Sequence, residues 1–466
     1  LSLRLRVFLF FCLLAAGGAA VAAAALGFGW SRAAEPLPAA PFVTALVIFA
    51  FLNTALVLGI WLLFDENVAK PINKLSADLR LRAHSGLDKP VSTEEARYLG
   101  DLAPAAQALS QTMSASVMDS AAKVAQETQR LRSETERLTA LLTEIPIATI
   151  LLNPAQEIVL YDGQAADILS QIAPPRLKAP LSDYFEIKAL QDAISKLSEQ
   201  TAEVPLSLSD KDGALRFNAR VKALSGDGHM ICIETDSLSA RRVAARPLVF
   251  DFDLMTPKAS DGLEATLLAD LCFVPFDTET TGLSVVNDTI VQLGAVRVLN
   301  GRIVEGEVFD SFVFPGRPIP PASTKIHRVT DKDVEGAPDI ATAGRAFHHF
   351  ARDAVLVAHN APFDIGLLRK HAGEMEVEWT HPVLDTVLLS AVIFGTNEEH
   401  SLDALCERLS ITIPAELRHT ALGDARATAE ALVTLLPLLE GKGIRTFDQL
   451  VQETRKHGRL LQDLND

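Results

Sequence analysis

The chain has 466 residues, of which 48% are hydrophobic, and a formal net charge of −16 at pH 7. At ~150 residues per domain this length predicts about three folded units, and the hydrophobic content excludes intrinsic disorder as the dominant state. The acidic balance argues against a protein that coats duplex nucleic acid, and four cysteines without a CxxC pair argue against a zinc site or a disulfide framework.

The N-terminal region, 1–64, explains the positive mean hydropathy of +0.20. Residues 7–30 and 41–64 are two uncharged runs, each long enough to cross a ~30 Å hydrocarbon core as a helix. Basic residues precede the first run and follow the second, so the positive-inside rule predicts a multi-pass membrane anchor with both termini in the cytoplasm and the lipid bilayer as a partner. A cleaved signal peptide is the alternative for the first run, because 21–25 offers small-residue cleavage sites.

Residues 65–117 contain two amphipathic stretches that follow the membrane anchor. Leu99 and Gly100 begin the second stretch, and the arrangement resembles a HAMP relay module. From Val117 onward apolar residues recur every seven positions, which predicts a coiled-coil helix over 118–140. Together these features favour a parallel homodimer, and a solvated helical linker is the alternative for the heptad segment.

Residues 141–240 change to short β-rich runs with one helical stretch. The strands are predicted at 148–152, 158–161, 204–208, 215–223 and 230–234, and the helix at 189–200. Asp162 precedes an alanine-containing helix, and this order resembles a PAS sensor domain with an α+β fold. No cysteine lies where a flavin-reactive thiol is expected, and His229 is the only histidine here, so no PAS-bound cofactor is identified. A dimerisation or spacer domain is the alternative.

A linker is predicted over 241–267, and a paired-carboxylate motif follows it. The apolar run 271–276 predicts a buried strand that ends in Asp277 and Glu279. Strand alternation places these two side chains on one face, where two carboxylates repel each other unless a cation lies between them. The motif therefore favours a hard divalent metal, and a solvated acidic turn is the alternative.

A second segment supplies a third carboxylate, Asp364. The buried run 355–358 predicts a strand, and it leads to His359 and then to Asp364. Pro362 fits the first turn of a helix predicted at 365–372, which places Asp364 beside the positive end of the helix dipole.

A third segment supplies a fourth carboxylate. Asp424 precedes an amphipathic helix predicted at 425–436, and His419 lies five residues before it. Asp385 and Ser401 are typical residues for the start of two further helices.

In order, these segments read FDTETTGL at 276–283, HNAPFD at 359–364 and HTALGD at 419–424. Residues 268–440 thereby resemble the DEDDh 3′–5′ exonucleases, the group that contains the proofreading epsilon subunit of bacterial DNA polymerase III and RNase T. The resemblance implies an α/β RNase H-like domain with a mixed central sheet flanked by helices, followed by a helical tail at 441–466.

The resemblance also implies site residues and cofactors. Two divalent ions, Mg²⁺ or Mn²⁺, would be held by Asp277, Glu279, Asp364 and Asp424. His419 would act as general base, since an imidazole of near-neutral pKa can accept a proton from water. By the same resemblance Thr280 and Leu283 would contact the 3′ end of the substrate, and Asn360 and Phe363 would line the path of the strand.

The whole multidomain pattern predicts a 3′–5′ exonuclease of the bacterial inner membrane that acts on single-stranded nucleic acid. Residues 268–439 contain 13 basic and 24 acidic residues, so short strands or frayed ends fit better than long duplexes. A scaffold that binds nucleic-acid ends without cleavage and a polymerase-associated proofreading subunit are the alternatives. The sequence leaves DNA and RNA open as substrates.

Overall fold

The computed structural model describes residues 3–32, 38–85, 147–198, 200–224, 228–234, 248–256 and 262–465. The chain divides into two compact units, Leu1–Ala121 and Ala122–Asp466. The predicted coiled coil at 118–140 and the second stretch of the HAMP-like relay, with Leu99 and Gly100, lie outside the described residues.

The first unit is helical throughout its described part. Helix α1 spans Leu3–Ser31 and helix α2 spans Ala40–Phe64. A π-helical turn at Asp65–Ala69 joins α2 to helix α3, Lys70–Ser85. Helices α1 and α2 contain the two predicted apolar runs, and both are long and apolar enough to cross a membrane.

Helices α1 and α2 pack side by side in antiparallel directions. The ring centroids of Phe8 and Trp61 lie 5.0 Å apart, and the Asn53 amide donates a hydrogen bond to the Ala15 carbonyl at 2.9 Å. The Arg4 guanidinium forms two hydrogen bonds, of 2.7 and 2.6 Å, with the Asp65 carboxylate. This ion pair places the beginning of α1 and the end of α2 at the same end of the helical pair.

The second unit begins with a six-stranded antiparallel sheet. Its elements are β1 Ile147–Leu152, β2 Ile158–Tyr161, α4 Gly163–Ser170, α5 Lys188–Ile194, β3 Glu203–Ser209, β4 Arg216–Ala223, β5 His229–Glu234 and β6 Val249–Phe250. The strand order is β3-β4-β5-β1-β2-β6. The five predicted strands are confirmed, and Asp162 caps α4 by accepting a hydrogen bond from the Ala165 backbone.

Two predictions for this region need correction. Helix α5 ends at Ile194 rather than at 200, because the chain turns and forms an isolated bridge between Ser198 and Thr201. The segment predicted as a linker over 241–267 contains strand β6, which pairs with β2. Burial of Val249 holds this segment on the sheet.

A mixed five-stranded sheet forms the rest of the second unit. Its strands are β7 Phe273–Thr280, β8 Ile290–Leu299, β9 Arg302–Phe312, β10 Val355–Ala358 and β11 Val383–Asp385, in the order β11-β10-β7-β8-β9. Strands β10 and β11 run parallel to β7, whereas β8 and β9 form antiparallel pairs with their neighbours. The predicted mixed sheet is confirmed.

Helices flank this sheet. They are α6 Pro321–His327, α7 Ile340–Phe350, α8 Ala361–Lys370, α9 Ala372–Met375, α10 Thr386–Phe394, α11 Leu402–Leu409, α12 Ala421–Gly441 and α13 Phe447–Arg455. Asp385 and Ser401 cap α10 and α11 as predicted. Helices α8 and α12 each begin four residues earlier than predicted. The first turn of α8 already contains Pro362, and Thr420 caps α12 directly before its first residue, Ala421.

The C-terminal segment packs against the mixed sheet region instead of forming a separate tail. The Leu450 side chain of α13 is fully buried, and the Asn465 side chain bonds the backbone of Val383 on β11 through both its oxygen and its nitrogen. Residues predicted as a tail at 441–466 therefore help to hold the edge of the sheet.

The two sheets of the second unit share one apolar core. Buried side chains of the first sheet, such as Ile158 and Tyr161, belong to the same cluster as Phe309 of β9 and Phe350 of α7. A buried ion pair within the second sheet joins Arg297 on β8 to Glu307 on β9, with Nε and Oε2 2.9 Å apart.

Candidate metal-dependent active site

Two acidic side chains lie at the end of the central strand β7. Asp277 and Glu279 alternate with the buried Thr278 and Thr280, so both carboxylates project from one face of the sheet. The Asp424 carboxylate joins them, and ligand oxygens of these three residues all lie within 4.8 Å of one another. The geometry brings together three of the four predicted metal ligands.

Asp424 reaches this cluster from the first turn of α12. Thr420 caps the helix by accepting a hydrogen bond from the Gly423 backbone at 3.1 Å. A Cβ added at Gly423 would lie 1.8 Å from the Leu417 carbonyl oxygen. Only glycine therefore allows the preceding turn, which contains His419, to pack against the start of α12.

Asp364, the fourth predicted ligand, lies in the first turn of α8 and is buried. Its carboxylate accepts a hydrogen bond of 2.5 Å from the Thr278 hydroxyl. It is outside the group of three whose oxygens converge within 4.8 Å, but its negative charge acts on Asp277. Thr278 thus holds Asp364 next to the cluster.

The electrostatics of these four carboxylates follow from burial and mutual repulsion. Burial, followed by the charges of the other three groups, raises the pKa of Asp277 well above its usual range. Burial and neighbouring charges raise the pKa of Glu279 to about 8, and burial raises the pKa of Asp364 to about 7. Burial also raises the pKa of Asp424.

Among the described residues, only other carboxylates act electrostatically on Asp277 and Glu279. Carboxylate oxygens are preferred ligands of Mg²⁺ and Mn²⁺, and a divalent ion among them removes the repulsion that raises their pKa. The donor set of Asp277, Glu279 and Asp424 therefore fits a divalent cation, with Asp364 as a further oxygen donor beside it.

His419 lies next to the cluster on the turn before α12. Its backbone adopts a left-handed conformation, with φ 55°, and its side chain is exposed. The His419 backbone donates a hydrogen bond to Asp424, and its imidazole acts electrostatically on the same carboxylate. The predicted general base is thus close to one predicted metal ligand and accessible to solvent.

The four residues predicted to contact substrate occupy different environments. Leu283 is 91% exposed in the loop after β7, whereas the Thr280 hydroxyl is turned inward and bonds the Gly282 carbonyl at 2.7 Å. Asn360 is exposed in a left-handed conformation before α8, and Phe363 is partly buried against the core. Leu283 and Asn360 remain the more accessible of the four.

Two buried residues near the site, Asp385 and His327, were not predicted to support it. The buried Asp385 carboxylate accepts hydrogen bonds from the Ala361 backbone at 2.6 Å and the Val387 backbone at 2.7 Å, and so ties the start of α8 to that of α10. Both nitrogens of the buried His327 ring are bonded, to the Thr280 carbonyl at 3.2 Å and the Val329 backbone at 3.0 Å. Asp385 stood out in the sequence only as a helix cap.

Comparison with known proteins places this site in a family. Residues 274–432 match the family model of the Exonuclease domain (RNase T). The chain is 31% identical over 698 aligned positions to the DNA polymerase III subunit epsilon-like protein of Rhodobacter capsulatus, and the match covers 100% of this chain and 99% of that protein.

Other relatives match the chain only in part. It is 38% identical over 186 residues to the PolC-type DNA polymerase III of Bacillus subtilis, which covers 40% of this chain but 13% of the polymerase. The solved structure of Exonuclease X in complex with 5′ overhanging duplex DNA is 29% identical, covers 40% of this chain and 99% of that one, and gives a TM-score of 0.32. E. coli Exonuclease I in complex with an oligonucleotide is 17% identical, covers 37% of this chain and 41% of that one, and gives a TM-score of 0.33.

Proposed function

Because the chain belongs to the DNA polymerase III subunit epsilon-like family and contains an Exonuclease domain, we propose that it is a 3′–5′ exonuclease of the DEDDh type. It removes nucleotides from the 3′ end of single-stranded nucleic acid by hydrolysing phosphodiester bonds. The observation that carries this proposal is the convergence of the Asp277, Glu279 and Asp424 ligand oxygens within 4.8 Å of one another.

The proposed mechanism assigns a role to each residue. Asp277, Glu279, Asp364 and Asp424 hold two divalent ions. When bound, such a pair supplies a hydroxide nucleophile at neutral pH and stabilises the charge of the leaving 3′-oxygen.

His419 accepts the proton of the attacking water. Its solvent-exposed side chain and its position beside Asp424 support this role. Its place on a turn fixed by Gly423 keeps the imidazole close to the metal ligands.

The proposed substrate is a single strand that enters with its 3′ end. We assign Thr280 and the exposed Leu283 to the terminal nucleotide, and the exposed Asn360, with Phe363, to the path of the strand. The acidic composition of 268–439 favours short strands over long duplexes, because little positive charge is present to replace counterions.

We further propose that α1 and α2 anchor the enzyme in the inner membrane with both termini in the cytoplasm. Apolar side chains along both helices are exposed, including Leu13 at 72% and Phe51 at 78%, and the Arg4–Asp65 pair is compatible with a hairpin that crosses the bilayer twice. The HAMP-like relay at 65–117, the coiled coil at 118–140 and the PAS-like domain at 141–240 would then link the anchor to the enzyme as a homodimer and regulate it.

The test of the proposed activity uses the full chain purified in detergent. Single-stranded DNA and RNA oligonucleotides are incubated with Mg²⁺, Mn²⁺ or EDTA, and the products of the unaltered chain are compared with those of Asp277→Asn and His419→Ala. The matched controls are Glu440→Gln, in an exposed pair with Arg445 at the other end of α12, and His457→Ala. Metal-dependent shortening that is lost in the first two variants and kept in the controls supports the proposal. Binding without cleavage of either polymer contradicts it.

A further inference from the structure

Strand β8 lies directly beside the strand that bears two of the proposed metal ligands. In the antiparallel register Gly294 pairs with Asp277, and Gln292 pairs with Glu279. Directly paired residues of an antiparallel sheet face the same side. Gln292 and Gly294 therefore lie on the face of the sheet that carries the carboxylates.

Gly294 allows helix α12 to reach this face. A Cβ added at Gly294 would lie 2.2 Å from the Leu422 backbone nitrogen and 2.3 Å from the Ala421 carbonyl carbon. These are backbone atoms, so no side-chain rotation can relieve such a contact. The first turn of α12, which bears Asp424, packs on β8 at a distance that only glycine permits.

Gln292 fixes the same turn through a hydrogen bond. Its side-chain oxygen accepts a hydrogen bond from the Ala421 backbone at 3.3 Å, and its side-chain nitrogen donates one to the Asp310 carboxylate at 2.9 Å. Because a carboxylate only accepts, Asp310 orients the amide so that its oxygen faces the helix. The side chain is 5% exposed, so water offers the Ala421 N–H little substitute.

We infer that Gln292 and Gly294 are positioning residues, which set the depth and register of α12 so that Asp424 meets Asp277 and Glu279 at the metal site. Neither side chain is itself a metal ligand in this account. The inference rests on the proposed metal-dependent function and adds to it the residues that assemble the site from two separate parts of the chain.

The test measures metal binding directly. The full chain in detergent is titrated with Mn²⁺, and the free ion is followed by electron paramagnetic resonance, for the unaltered chain, Gly294→Ala and Gln292→Met. The matched control is Gly373→Ala in α9, where an added Cβ meets no atom within 4 Å. Tryptophan fluorescence in EDTA, followed during heating with Trp30 and Trp61 replaced by phenylalanine so that only Trp379 emits, reports whether each variant is folded.

A shift of the helix by roughly 1 Å is enough to impair a catalytic site. We expect Gly294→Ala to raise the Mn²⁺ dissociation constant by at least about 10-fold and to lower kcat by about 100-fold, with less change in KM for the oligonucleotide. Gln292→Met loses both side-chain hydrogen bonds, to the Ala421 backbone and to Asp310, and should raise the dissociation constant about 3- to 10-fold. High Mn²⁺ should restore part of the activity, and Gly373→Ala should behave like the unaltered chain.

A folded Gly294→Ala variant that binds Mn²⁺ as tightly as the unaltered chain overturns the inference. If that variant does not fold, Gln292→Met decides: unchanged Mn²⁺ affinity overturns the inference, and weakened affinity with an unchanged unfolding temperature supports it. An unaltered chain that binds no Mn²⁺ overturns the proposed function itself.

Discussion

Two groups of charged side chains in the second unit differ in whether an opposite charge lies beside them. Glu307 pairs with Arg297 at 2.9 Å and accepts hydrogen bonds from the Tyr161 hydroxyl and the Leu177 backbone. Asp277 and Glu279 instead face further carboxylates, and burial and repulsion raise their pKa. The first group has its opposite charge within the protein and joins two sheets, whereas only carboxylates act on the second, which fits a divalent cation.

This difference separates a structural role from a functional one. Breaking a compensated pair leaves one charge buried and unpaired, so stability falls. Removing a member of an uncompensated group relieves repulsion, so stability is kept or increases while function is lost. Each prediction below tests one side of this contrast.

The largest expected effect is the loss of activity in Glu279→Gln. We expect a fall of at least about 1,000-fold in kcat/KM, since a metal ligand in the proposed site supports several kcal/mol of transition-state stabilisation. The thermal midpoint in EDTA should be unchanged or higher, because one repelling carboxylate is gone. A lowered midpoint with retained activity would assign Glu279 to structure.

The next effect is on stability, at the junction of the two sheets. Glu307→Ala leaves the Arg297 guanidinium unpaired in the core, and we expect a loss of about 3–5 kcal/mol. The double variant Arg297→Met, Glu307→Leu removes both charges and should lose less, as measured by denaturant unfolding followed by tryptophan fluorescence, with Trp30 and Trp61 replaced by phenylalanine so that only Trp379 emits. Equal losses in both variants would show that packing, not charge compensation, dominates there.

The pH dependence of stability should be opposite to that of a protein with well-paired carboxylates. Burial and neighbouring charges raise the pKa of Glu279 from its ordinary value of 4.5 to about 8, so between these values the folded metal-free chain binds more protons than the unfolded chain. Its stability therefore falls as pH rises from about 4.5 to about 8. Thermal unfolding in EDTA measures this fall.

A divalent ion should reverse this trend, because it binds the ionised carboxylates of the folded state. We expect the rise in thermal midpoint on adding Mn²⁺ to be larger at pH 8 than at pH 6. A metal effect that is independent of pH would contradict the proposed role of the carboxylates.

The smallest effect is expected at the exposed pair of Arg445 and Glu440, whose nitrogen and oxygen atoms lie 3.9 Å apart. Water screens this pair, so Arg445→Ala should change stability by less than about 1 kcal/mol. Activity should also remain within about two-fold of the unaltered chain. A large change in either quantity would mean that exposure is a poor guide to the importance of charges in this protein.

The local pattern of the sequence predicted much of the fold and of the candidate site. Alternation identified Asp277 and Glu279 on β7, and the amphipathic helix predicted at 425–436 located Asp424 near the start of α12. These patterns involve residues that are close together in the sequence, so they can be recognised in a single chain.

Contacts between distant segments could not be predicted in this way. The bond from Tyr161 to Glu307 joins residues 146 positions apart, and the contact of Gly294 with α12 depends on how a helix packs on a strand. Nothing in the local pattern distinguishes Gly294 from any other glycine of a strand. The same reason explains why part of the predicted linker at 241–267 proved to be strand β6.

The polarity with which the full chain cleaves a single strand tests the proposed 3′–5′ exonuclease activity. A single-stranded oligonucleotide carrying a label at its 3′ end, and the same strand labelled at its 5′ end, are each digested with Mn²⁺. We predict that the 3′ label is released first as a mononucleotide, while the 5′-labelled strand shortens in single-nucleotide steps, and that Glu279→Gln does neither. Release of the 5′ label first, or no cleavage of either strand by the folded, Mn²⁺-bound chain, would contradict the account.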